Sequence, residues 1–122
     1  MPPDAEAVVL ENSAVSPELQ EAAVRWLRPT LAVFTNVRED HRESWGEGTR
    51  NAADVLLRGI APGVPVVMTS ATLETELVAE AMRRLDCPVT SVPALPDFRE
   101  ENIALALSAC ACAGVRGPQV ER

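Results

Sequence analysis

The sequence predicts a layered α/β fold, three-layer α/β/α, with helices covering a mainly parallel sheet. Three observations carry that expectation. Short apolar runs alternate with segments of helical periodicity. The short runs contain few polar residues, as strands covered on both faces do. Capping residues and prolines bracket the longer segments.

Ala7-Val8-Val9-Leu10 is the first strand candidate. Ser16-Pro17-Glu18 then opens a helix with an N-cap hydroxyl, a first-turn proline and an early acid. Leu19, Ala22, Ala23, Trp26 and Leu27 form its apolar face, and Pro29 stops it. Leu31 to Asn36 is the second strand candidate, followed by a polar loop from Val37 to about Gly48. A helix is expected over Thr49 to Leu57, closed by Gly59 and Pro62-Gly63.

Val64 to Thr69 is the third strand candidate, and Pro65 favours the strand's first residues or an edge. Ser70 caps the next helix, with Leu73, Leu77, Ala81, Met82 and Leu85 on one stripe. Pro88 to Val92 reads as a fourth strand and Pro93 to Pro96 as a rigid loop. Asp97 with Glu100 suggests a capping box opening the last helix, whose inward residues would be Ile103, Leu107, Cys110 and Ala111. Gly114 is the expected C′ residue, with a loose tail over 115–122.

Composition excludes several chemistries. All eleven basic residues are arginine, and the net charge is −7, which argues against a nucleic-acid partner. Without lysine these residues hold no Walker P-loop lysine, Schiff base or carbamylated lysine, and any histidine chemistry must use His41. No apolar run approaches the ~20 residues that span a bilayer. The N-terminal residues lack a signal-peptide pattern, and Cys87, Cys110 and Cys112 suit plain thiols in a reducing cytoplasm.

In open α/β sheets, ligands sit beyond the carboxyl ends of the strands. That rule selects Glu11-Asn12-Ser13, Asn36 to His41 and the residues after Thr69, with polar residues concentrated in the first two. Glu11 is either a metal-binding carboxylate or a solvent-facing acid at a strand end. Asp40 and His41 are an acid/base pair, a histidine metal ligand with its orienting carboxylate, or a solvated turn. Asn102 suits an adenine edge, though its chemistry alone favours a surface asparagine in a helix. No G-x-S-x-G nucleophile motif is present.

Taken in order, these stretches resemble the central ATP-binding domain of the Mur ligase superfamily, within it the capsule-type poly-γ-glutamate synthase ligase subunit. Val8 to Val15 is similar to V-V-E-C-M-A-V, and Pro17 to Gln20 to the P-E-x-Q that follows. Arg28-Pro29-Thr30 through Thr35-Asn36-Val37-Arg38-Glu39-Asp40-His41 is similar to R-P-T-x-x-V-I-T-N-V-R-x-D-H, the specific match. Gly46 to Leu57 and Phe98 to Leu107 parallel G-x-T-x-x-x-x-A-x-x-L and E-N-x-A-L-A-L.

The resemblance implies a P-loop-NTPase-related fold over residues 1–114 and an ATP-dependent carbon–nitrogen ligase. Such enzymes phosphorylate a carboxylate and let an amine attack the acyl phosphate, joining glutamate units in the capsule-type branch. It implies ATP and Mg²⁺ as cofactors, Glu11 and His41 as metal ligands, Asn36 and Asp40 as shapers of the catalytic loop, and Asn102 at adenine. It also implies glutamate or a poly-γ-glutamate chain as substrate, a membrane subunit as partner, and a cytoplasmic place with membrane association through that partner.

The departures are specific. The family's G-x-x-G-K-T/S precedes the Glu11 stretch, where here only six residues precede the apolar run. The lysine that often follows D-H has no counterpart, and Phe98-Arg99 stand where the superfamily has H-N. Cys-Met after the metal glutamate is replaced by Asn12-Ser13. The expectation is therefore a fragment or split subunit that is inactive alone and needs a chain supplying the P-loop. The competing expectation is a non-catalytic α/β module that binds a nucleotide or a partner. A dinucleotide-binding domain would need a glycine-rich turn after the first strand, and Glu11-Asn12-Ser13 offers none.

Overall fold

The computed structural model describes residues 4–37 and 48–115. Asp40 and His41, most of the polar loop, and the tail after Val115 lie outside the described residues. The elements run α1 (Pro17–Leu27), β1 (Ala32–Phe34), α2 (Thr49–Leu57), β2 (Val66–Thr69), α3 (Ser70–Leu73), α4 (Glu76–Arg84), β3 (Val89–Val92) and α5 (Phe98–Cys112). The strands form one parallel sheet in the order β1-β2-β3. The mixed α/β class and the parallel sheet are as the sequence predicts.

The sheet is organised around β2. All four of its residues are buried. Its register pairs Ala32 with Val66 and Phe34 with Met68 on one side, and Val66 with Val89 and Thr69 with Val92 on the other. The two prolines expected near strand starts sit just outside the ladder and still serve it. The Pro65 carbonyl accepts from Ala32 N at 2.9 Å, and the Pro88 carbonyl from Val66 N at 2.8 Å. Neither position needs a donor, so proline costs no sheet bond there.

Alternation along β2 sends Val66 and Met68 one way and Val67 the other. Val66 and Met68 join Phe34, Ala53, Leu57, Ile60, Val78, Ala81, Met82 and Cys87 in one buried cluster. That cluster joins the sheet to α2 and α4, whose Ala53 and Ala81 allow close approach. Val67 is fully buried outside it, and α5, with Leu105 buried, lies against β2 and β3.

Helix starts follow the local chemistry. Ser16 Oγ accepts from Leu19 N at 3.2 Å to cap α1. Asp97 caps α5 by accepting from Arg99 N at 2.7 Å. The reciprocal half of the expected capping box differs: Glu101, not Glu100, reaches back, to Leu95 N at 2.9 Å. The single helix expected after Ser70 is broken into α3 and α4 at Glu74-Thr75. Ser70, Thr72 and Thr75 crowd this stretch, and such side chains compete for backbone groups that would otherwise extend a helix.

Three expectations are overturned, each for a tertiary reason. Ala7 to Leu10 forms no strand and lies exposed, Val9 at 96% and Leu10 at 60%. A strand exists only where another edge accepts its backbone groups, and no described strand pairs with it. The apolar face of α1 points outward, with Leu19 56% and Trp26 81% exposed, while Gln20 is buried. In α5 the buried residue is Leu105, while Ile103 and Leu107 are exposed. That helix is apolar nearly all round, so periodicity could not choose its buried side.

Gln20 explains how α1 is held. Its Oε1 accepts from Asn12 Nδ2 at 2.7 Å and its Nε2 donates to the Ala14 carbonyl at 2.8 Å. The amide end presses on Gly59, where a Cβ would collide with Oε1. A surface ion pair, Arg58 to Glu21 at 2.8 Å, adds little beside it.

Two stability outcomes follow from this packing. Met68→Ala opens a cavity at the centre of the sheet and should cost about 2–5 kcal/mol in urea unfolding. Gly59→Ala should destabilise by about 1–2 kcal/mol, the scale of an overpacked site, rather than give the usual gain of a glycine replacement. In a double-mutant cycle with Gln20→Ala the two costs should be less than additive, because the colliding group is gone.

Candidate functional site

A shallow cleft of about 180 Å³ opens where β1 and β2 end. Asn36 and Val37 line it from the chain leaving β1, and Thr69, Ala71, Thr72 and Thr75 from the end of β2 and the start of the following helices. Glu101 closes it from the first turns of α5. Its position is the one the carboxyl-end rule selects in a parallel sheet.

The local sequence builds this wall directly. Thr69 ends β2 and also caps α3, so strand passes into helix with no intervening loop. Its Oγ1 accepts from Thr72 N at 3.1 Å and shares a hydroxyl–hydroxyl bond of 2.9 Å with Thr72 Oγ1. Both threonines are buried and mutually satisfied. Ser70 Oγ accepts from Ala94 N at 3.3 Å, and the Glu101 carboxylate accepts from Leu95 N. These two bonds fasten the loop after β3 beside the cleft.

Among the described residues the polar groups lining the cleft are hydroxyls, one amide and one carboxylate, with no cation. Such a wall can bind by hydrogen bonding. It contains no nucleophile held by a base, and its volume falls below the roughly 300–1,000 Å³ typical of small-molecule pockets. Among the described residues no group of three histidine, cysteine or acidic side chains could hold a metal.

The residues singled out by sequence are placed unequally. Asn36 is exposed and lines the cleft. Glu11 is exposed, stands at no strand end and is not part of the cleft wall. Asn102 is exposed on α5, next in sequence to the lining residue Glu101 but not itself lining. Asp40 and His41 lie outside the described residues. Sequence reasoning selected the stretch after Thr69 only as a location. It missed Thr72, Thr75 and Glu101, whose signal was the threonine-rich strand-to-helix junction and the acidic first turns of α5. The three cysteines are free thiols, Cys87 donating to the Ala61 carbonyl at 3.4 Å and Cys112 Sγ lying 3.7 Å from Thr90 Oγ1.

A larger open depression of about 580 Å³ is lined by Leu73, Met82, Arg83, Asp86, Cys87 and Val89, among others. It does not lie at the carboxyl ends of the strands, and its thiol, Cys87, is buried and donates to the Ala61 carbonyl.

The Glu101–Leu95 bond sets the cleft's outer wall. Glu101→Ala should speed amide exchange at Leu95 by about fivefold or more, corresponding to a bond of roughly 1 kcal/mol or above, with α5 helicity unchanged by circular dichroism.

Comparison of this chain with protein-family models, with curated proteins and with solved structures finds no match in any of the three.

Proposed function

We propose that this chain carries the chemistry of the central domain of an ATP-dependent carbon–nitrogen ligase of the Mur type, resembling poly-γ-glutamate synthase. The observation that carries the reading is the T-N-V-R-E-D-H motif of the sequence, Thr35 to His41, together with Asn36 lining the cleft just beyond the end of β1. The three-layer arrangement and the relation to P-loop folds belong to this proposal.

The reaction in this reading phosphorylates a glutamate-type carboxylate with ATP and then forms an amide as an amine displaces the phosphate. Phosphoryl transfer rests on positioning and charge neutralisation more than on covalent chemistry by the protein. The cleft's contribution is positional: Asn36 offers a donor and an acceptor, and Thr69, Thr72 and Thr75 line the wall with it. Asp40, four residues on in sequence, would shape the site with Asn36, and Asn102 would contact adenine.

The described residues do not by themselves compose a magnesium site. Glu11 stands apart from the cleft wall, and Glu101 already accepts a backbone bond. A metal held by Glu11 and His41 would need the stretch carrying Glu11 to move toward the cleft. The absence of lysine from the sequence supports inactivity of the chain alone, since the P-loop lysine cradles the transferred phosphate.

A non-catalytic binding module is the second reading, favoured by the mutually satisfied threonines of the cleft. Titration separates the two. The ligase reading expects no ATP-dependent phosphate release with glutamate from the isolated chain. It also expects weak Mg²⁺-dependent ATP binding that falls about tenfold in His41→Ala and in Asn36→Ala, about 1.4 kcal/mol each. ATP binding that ignores both substitutions, or robust turnover by the chain alone, would sink it.

A further inference from the structure

We propose that the exposed apolar stripe of α1 is a self-association surface, occupied by α1 of a second copy of this chain packed antiparallel about a two-fold axis. The inference uses the surface of α1 and does not rest on the ligase reading.

The stripe is unusual for a surface. Leu19, Trp26 and Leu27 are all more than half exposed, on a helix that Gln20 fastens to Ala14 and Gly59. Leu19 and Trp26 lie about two turns apart and therefore nearly in line along the helix. Ala22 and Ala23 lie between them and would let two helices approach closely. Isolated exposed leucines are ordinary, but a tryptophan continuous with two leucines on one face is an interaction surface in form.

Charge selects the occupant and its direction. Glu18 and Arg25 are both exposed and also about two turns apart, so they line one flank of the stripe. Among the described residues Arg25 has no ion-pair partner. Hydrogen bonds from its own backbone N–H and from Ser16 hold the Glu18 carboxyl below its ordinary value, with a smaller contribution from Arg58, so it stays charged. A two-fold axis near Ala22-Ala23 sets Leu19 of each copy against Trp26 of the other. The same operation sets Glu18 of each copy beside Arg25 of the other, giving two ion pairs at the rim. In a parallel two-fold pairing the same flanks fall on opposite rims, so these ion pairs do not form. Self-complementarity of this kind is what an isologous interface requires.

One helix pair buries less than the roughly 1,200 Å² of a stable interface, so the association should be of micromolar strength. Sedimentation equilibrium tests it. The wild-type chain at about 100 µM should be mainly dimeric, and Trp26→Glu monomeric. Glu18→Arg and Arg25→Glu should each weaken the dimer by about tenfold, since each reversal creates two repulsive pairs. The double variant Glu18→Arg/Arg25→Glu should recover wild-type affinity, a rescue that a fold defect could not produce. Circular dichroism confirms that each variant is helical. A monomer at that concentration, an oligomer larger than two, indifference to the single reversals, or failure of the double variant to recover would each overturn the proposal.

Discussion

The structure depends on one constraint: β2 must bury every residue it has while leaving no backbone group unpaired. A four-residue strand can meet that only with a partner on each edge and packing on each face. β1 and β3 supply the edges, in parallel register. Val66 and Met68 meet the cluster built with α2 and α4, and α5 lies against β2 and β3. The rest of the chain is arranged to deliver these partners. Pro65 and Pro88 begin the strands without costing a ladder donor, and Thr69 ends β2 while capping α3, so the strand's end is fixed by a helix start.

The same constraint makes the candidate site. Parallel strands finish together, so chain leaving β1 and chain leaving β2 diverge from one edge and leave a cleft between them. Asn36 and the threonines meet there because β1 and β2 are neighbours in register, though more than thirty residues separate them in sequence. Glu101 arrives from a helix that packs on the sheet and tethers the loop after β3. The wall is tied together by hydrogen bonds among Thr69, Thr72, Ser70 and Glu101 and their backbone partners.

Burial of Gln20 shows how a polar residue can decide orientation. Its amide satisfies Asn12 and Ala14 and fits against Gly59, a position without a Cβ. Rotating α1 to bury Leu19 and Trp26 would break these two bonds and the contact with Gly59, at a cost of about 1–3 kcal/mol. The apolar face is therefore left for solvent or for another surface. Amphipathic patterning identified a helix with two distinct sides; the buried amide selected which side faces the body.

Local signals were legible in the sequence because their physics is local. Ser16 and Asp97 are caps, Pro29 follows a helix end, the Val64–Thr69 run contains the central strand, and the Thr49–Leu57 helix has the predicted bounds. Asn36 at the ligand edge was also readable, since a strand's carboxyl end follows from chain direction alone. Pairing and facing were not legible. Val8-Val9-Leu10 has strand composition and no strand, because pairing belongs to an edge elsewhere. Ile103 and Leu107 match the pattern of an inward face as well as Leu105 does, and only contact with β2 and β3 chooses Leu105. The sequence by itself determined where most helices begin and that the class is α/β, since capping and hydrophobic periodicity act over a few residues. Only the tertiary structure decided which faces are buried and which residues share the cleft, because those depend on groups far apart in the chain competing for the same surface.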